Sequence, residues 1–144
     1  MKNGFVHDYA LLAPIERLAL SFGLPCIREF AVPLHDTTGF IDLLIKHPCQ
    51  VIAVEIEIRA RRIPSDIVKA VAARVSILDV VMPTARTARL ARSRFKAEIA
   101  RQAINGLSIC FLSLPSALEQ LTDLFSQKTW PLVEGINNPT NQKS

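Results

Sequence analysis

The sequence predicts an α/β fold, a mixed β-sheet flanked by helices, and three observations carry that prediction. Five short runs read as strands, four of them rich in Ile, Val and Leu and all short enough for a sheet. The first three follow one another through short turns, as a meander does. The last two are each preceded by a segment of helical period, the pattern of a parallel extension. The element order is α-β-β-β-α-β-α-β-α.

Pro14 to Phe22 reads as the first helix. Proline suits a first helical position, and Ile15, Leu18, Ala19 and Phe22 recur at helical spacing. Gly23 and Pro25 stop it. Cys26 to Val32 is an extended run ended by Pro33, and His35 to Gly39 is a turn. Phe40 to Ile45 forms the second strand, Lys46-His47-Pro48 a second turn, and Val51 to Ile58 the third strand. Ser65 then offers an N-cap, with Ile67, Val68, Val71, Ala72 and Val75 along one side of a helix. Ser76 to Met82 is the fourth strand. Thr84 to Ile104 reads as one long helix closed by Asn105-Gly106, Leu107 to Leu112 as the fifth strand, and Pro115 to Gln127 as the last helix. Residues 1–134 make one domain, and the polar residues 135–144 read as a flexible tail.

The 144 residues are 49% apolar and suit a single core rather than two. No apolar run approaches the roughly 18 residues of a membrane span. His7, Asp8, Glu16 and Arg17 break up the N-terminus, which does not read as a secretory signal. Three widely spaced cysteines, Cys26, Cys49 and Cys110, form no zinc or disulfide pattern. A cytoplasmic protein is expected. The net charge of +4 is unevenly distributed. Residues 1–58 carry 4 basic and 7 acidic side chains, whereas residues 59–101 carry 11 and 3.

Chemistry concentrates between Gly39 and Glu57. Asp42 interrupts a strand that is otherwise Phe, Ile and Leu, and aspartate is disfavoured at such a position. In the third strand Glu55 and Glu57 alternate with Val54, Ile56 and Ile58, so both glutamates leave the same face. Paired as a hairpin, the strands set Asp42 beside Glu55, and three carboxylates converge. Like charges in a low-dielectric site repel, and a hard divalent cation removes the conflict. Two alternatives stand beside this one: a solvated polar face, which accounts for Glu55 and Glu57 alone, and a salt-bridged core with Arg28 as partner.

Asp in a hydrophobic second strand, followed by Glu-x-Glu in a hydrophobic third strand, resembles the PD-(D/E)XK nuclease superfamily. The restriction-endonuclease-like core of that family, α-β-β-β-α-β, matches residues 14–82 in order. Ile41 stands where proline usually precedes the aspartate, and Glu57 stands where lysine is usual. The resemblance implies that Asp42 and Glu55 hold Mg²⁺, for which Mn²⁺ substitutes, and that Glu57 is a further ligand or water-orienting base. It implies Lys69, on the following helix, as a replacement for the missing lysine; an ordinary exposed ion pair with Asp66 is the other account. Glu16 falls inside the apolar arc of the first helix. The family often carries a metal-associated glutamate there, which implies a ligand to a second ion, whereas snorkelling to water is the equal alternative.

Arg59, Arg61 and Arg62 follow the third strand directly, and Arg89, Arg92 and Lys96 share a face of the long helix, opposite Ala88, Ala91, Phe95 and Ile99. Such a stripe suits phosphate neutralisation as well as a solvated face. No phosphate-cradling or nucleotide-binding glycine motif is present, so no nucleotide cofactor is expected. The sequence thus points to a metal-dependent DNA endonuclease acting on duplex or branched DNA, with a homodimer expected where two strands are cut. A non-catalytic DNA-binding or assembly module of the same fold is the alternative.

Overall fold

Chain order and strand composition translate into a single five-stranded sheet. A computed structural model describes residues 10–127. The elements are α1 (Ala13–Ser21), β1 (Cys26–Pro33), β2 (Thr38–His47), β3 (Gln50–Ile56), a 3-10 turn at Ala60–Arg62, α2 (Ile63–Ala72), β4 (Ile77–Met82), α3 (Ala85–Arg94), α4 (Lys96–Ile104), β5 (Ser108–Ser113) and α5 (Leu114–Phe125). The strands lie in chain order β1-β2-β3-β4-β5. The first two pairings are antiparallel hairpins and the last two are parallel, with the intervening helices serving as crossovers. The mixed α/β architecture is therefore the one predicted.

Alternation along β2 to β4 builds a core on each face of the sheet. Leu44, Ala53, Leu78 and Val80 pack with Ile63, Ile67 and Ala70 of α2 and with Ala88 and Ala91 of α3. On the other face Leu43, Ile45, Ile52, Val54 and Ile56 pack with Ile15 and Ala19 of α1 and Ala117, Leu121 and Phe125 of α5. The Ile52–Val54–Ile56 stripe is buried as expected, but Ile58 lies beyond the strand end and is exposed.

Three local expectations change. The long helix is two helices, broken at Phe95 (φ −103°, ψ 23°), whose ring stacks on Phe111 of β5 with centroids 6.0 Å apart. Anchoring that ring to the sheet turns the chain. The upstream end is as predicted, since Thr84 and Thr87 form a reciprocal capping box. Ser65 does not cap α2, which starts at Ile63 straight from the 3-10 turn. The buried side of α2 is Ile63, Asp66, Ile67 and Ala70, while Val68 and Val71 are exposed. The tail expected at 135–144 and the domain limit at 134 lie outside the described residues. Among the described residues no helix is long and apolar enough to cross a membrane.

One buried acid tests the packing of α5. Asp79 on β4 is fully buried, and Gln120 Nε2 donates to its Oδ1 at 3.1 Å. Burial pushes its carboxyl up to about 7, against the opposing hydrogen bond from Gln120. The unfolded carboxyl titrates near 4, so the folded state holds the extra proton between about pH 4 and 7. Stability therefore falls as pH rises through that window and stays low above it. Asp79→Asn keeps the shape and removes the charge. Urea unfolding at pH 8 should find it more stable than wild type by about 2–4 kcal/mol, with the difference vanishing near pH 4.

Candidate functional site

The hairpin ladder between β2 and β3 runs from His47↔Gln50 to Leu43↔Val54 and then stops. At the next position side chains replace the backbone rungs. The Ile56 N–H donates to Asp42 Oδ2 at 2.8 Å, and the Asp42 N–H donates to Glu55 Oε1 at 3.3 Å. The other flank of β2 departs from regularity at the same level. Rungs at Arg28↔Leu43 and Phe30↔Ile41 bracket Glu29, whose φ of 50° is in the left-handed region. Asp42 thus sits where β2 loses regular pairing on both sides, so its carboxylate can serve as a buried acceptor instead of clashing with a ladder.

Four carboxylates gather on the α2 side of this split. Asp42 is 9% exposed, Glu55 1%, Glu57 2% and Asp66 2%. Glu55 and Glu57 leave the same face of the chain, as strand alternation requires. Asp66 arrives from the buried face of α2. Lys69, one turn on, extends its ammonium into the group. Its Nζ donates to the Phe40 carbonyl at 2.7 Å and lies 3.0 Å from Glu55 Oε2 and 3.4 Å from Asp66 Oδ1. The exposed Lys69–Asp66 pair considered from sequence is therefore a buried one that also includes Glu55. Asp66 went unrecognised there because Val68 and Val71 drew the apolar arc of α2 the wrong way. An arc centred on Ile63, Ile67 and Ala70 contains Asp66 and marks it at once.

Compensation is incomplete. Burial, and then the Asp42 charge, push the Glu55 carboxyl up to about 8 against the pull of Lys69. Burial and the neighbouring Glu55 and Glu57 push Asp66 up to about 10. Burial alone would lower the Lys69 ammonium, but Glu55 and Asp66 raise it above its ordinary value. Glu55 Oε2, Glu57 Oε1 and Asp66 Oδ2 are buried and take no hydrogen bond. The Lys69 ammonium lies within ion-pair reach of Glu55 Oε2.

Glu16 does not join this group. Its helix packs on the opposite face of the sheet, and Arg28 on β1 holds it there, donating from Nε at 2.8 Å with Nη2 2.6 Å away. This corrects the placement of Glu16 as a ligand near the other carboxylates. Arg28, weighed as a salt-bridge partner of the cluster, grips Glu16. The basic residues lie outside. Arg59, Arg61 and Arg62 are exposed in the segment between Glu57 and α2. Arg89, Arg92, Ser93, Lys96 and Ile99 line a cleft of about 400 Å³ where α3 meets α4. Arg92 also donates to the Phe111 carbonyl at 2.8 Å. The other five of the six predicted DNA contacts make no ion pair or side-chain hydrogen bond among the described residues.

The donor set suits a divalent cation in kind. It offers carboxylate oxygens, the hard ligands such ions take, and three of those oxygens are buried without a hydrogen bond. Among the described residues no three Asp, Glu, His or Cys side chains already stand in metal-coordinating geometry. Protons held by Glu55 and Asp66 are what a cation would displace.

These shifts have a sign. Both acids bind protons more tightly folded than unfolded, so stability falls as pH rises from about 4 towards 8 for Glu55 and towards 10 for Asp66. Asp66→Asn removes the larger contribution. It should be more stable than wild type at pH 9 by about 2 kcal/mol or more, and close to it at pH 4, in paired urea melts.

No family model matches the chain, and neither the curated proteins nor the solved structures include a significant match to it.

Proposed function

We propose that the chain is a metal-dependent DNA endonuclease of the PD-(D/E)XK, restriction-endonuclease-like kind, working in DNA restriction, repair, recombination or mobile-element processing. The observation that carries this reading is the split β2–β3 hairpin. There Asp42 and Glu55 are fixed by each other's strands, with Lys69 of α2 against Glu55. Asp42 and Glu55 would hold Mg²⁺ or Mn²⁺, which supplies an activated water and a counter-charge for the phosphodiester. Glu57 lies next in line on the same face, and its open Oε1 is an acceptor able to orient that water. Lys69 supplies the cation that the strand itself lacks at Glu57. Arg59, Arg61 and Arg62, with Arg89, Arg92 and Lys96, neutralise backbone phosphates without reading sequence. Cutting two strands would take two copies of the domain.

The non-catalytic alternative has an observation of its own. Lys69 already stands over Glu55 Oε2, and no ready-made set of three metal ligands exists among the described residues. A DNA-binding or assembly module would keep the buried cluster as internal charge compensation.

Incubation with duplex and branched DNA separates the two. The nuclease reading expects nicks or breaks with Mg²⁺ or Mn²⁺, reduced at least about a hundredfold in Asp42→Ala and Glu55→Ala while DNA affinity persists. Salt-sensitive binding with no cleavage under any divalent ion would transfer the case to the alternative. For the basic face, Arg89→Gln with Lys96→Gln should weaken binding on all sequences alike. The pair should also flatten the slope of log affinity against log salt by about 2, read by fluorescence anisotropy.

A further inference from the structure

Lys69 is tightly placed. Its ammonium has three hydrogens, and three acceptors surround it: Phe40 O at 2.7 Å, Glu55 Oε2 at 3.0 Å and Asp66 Oδ1 at 3.4 Å. Its stem runs over Gly39 at the start of β2. A Cβ on Gly39 would lie 2.9 Å from Lys69 Cδ and 3.0 Å from Cγ, so no side chain fits there while the lysine keeps this course. Glu55 Oε1 is committed to the Asp42 N–H. Oε2, the oxygen that Lys69 covers, is the less engaged of the two towards the backbone and the one a metal ion would share with the ammonium.

We infer that Lys69 is a built-in cationic occupant of the carboxylate cluster that competes with a divalent cation, and that Gly39 sets where its ammonium stops. This rests on the reading of Asp42 and Glu55 as metal ligands and adds what controls their affinity. A like charge within a few ångströms opposes the incoming ion, and the lysine already supplies part of the compensation that ion would bring. Divalent binding then requires the ammonium to withdraw from Oε2 towards the Phe40 carbonyl and Asp66, which remain as its partners. Gly39 permits the stem's present course, because its missing Cβ leaves the space beside Lys69 Cγ and Cδ and beside Leu34 Cδ1.

Titration calorimetry of the full chain with Mn²⁺ alone, on wild type, Lys69→Met and Gly39→Ala, tests this. Lys69→Met keeps the stem and loses the charge, and it should bind Mn²⁺ about tenfold tighter or more. Gly39→Ala keeps the charge but pushes the stem aside, and it should bind more tightly than wild type by a smaller factor. A general loss of structure weakens binding, so tightening separates competition from damage. Gly39→Ala stands on its own should Lys69→Met not fold. Mn²⁺ bound equally or more weakly by both variants overturns the competition and leaves the metal reading intact. Tightening in Lys69→Met alone overturns the part assigned to Gly39. No Mn²⁺ bound by any of the three overturns the metal reading and this inference with it.

Discussion

Everything at the split end of the hairpin depends on keeping four buried carboxylates from expelling one another. Buried unpaired, each ionised carboxylate costs several kcal/mol, and mutual repulsion adds to that. The chain answers with three partial remedies. Backbone amides of Asp42 and Ile56 point at carboxylate oxygens because the ladder opens there. Lys69 brings one positive charge. The remainder is held as protons, which is why Glu55 and Asp66 keep theirs far above the usual carboxylate range. Each remedy constrains the fold. β2 must leave regular pairing at Asp42, α2 must present Asp66 and Lys69 to the sheet, and Gly39 must carry no side chain.

The opposite face shows what a single acid needs. Asp79 is as buried as the cluster, but it stands beside Gln120 and Cys110 with no carboxylate neighbour among the described residues. One proton neutralises it, and α5 covers it through Gln120. Four carboxylates are a different problem, because each must be neutralised beside neighbours that repel its charge. Three oxygens stay open despite the lysine and the amides. The Asp79 face leaves two oxygens open as well, Asp79 Oδ2 and Gln120 Oε1, but it gathers a single carboxylate. The cluster differs in bringing several open carboxylate oxygens together, and that concentration is the physical basis of the metal reading.

Alternation made Glu55 and Glu57 legible in the sequence, because period two places them together whatever surrounds them. Asp42 was legible through its improbability among large apolar neighbours. Asp66 was not, since a ten-residue helix offers two overlapping apolar arcs, and valines exposed at 56% and 48% outweighed the correct one. The break at Phe95 was hidden for a related reason. Every residue there is compatible with helix, and only the tertiary stacking of Phe95 on Phe111 turns the chain. Glu16 and Arg28 sit twelve residues apart on different elements. Sequence gives each a plausible place near the carboxylates, and only the packing of α1 on the far face pairs them with each other.

Charge separation between these layers follows from burial. Acids of the first 58 residues that matter here are interior, partly protonated and paired, so little of their field reaches solvent. The arginines after Glu57 and along α3 are exposed and mostly without acidic partners. A polyanion approaching these arginines within a Debye length of about 8–10 Å is attracted by exposed charge, whereas the acids of the cluster are buried. Under the nuclease reading this arrangement is required, since a phosphodiester is attracted by the rim and repelled by bare carboxylates. The repulsion is relieved only when a divalent ion lies between. Under that reading the rim would account for binding without a metal, and the cluster for chemistry that waits on one.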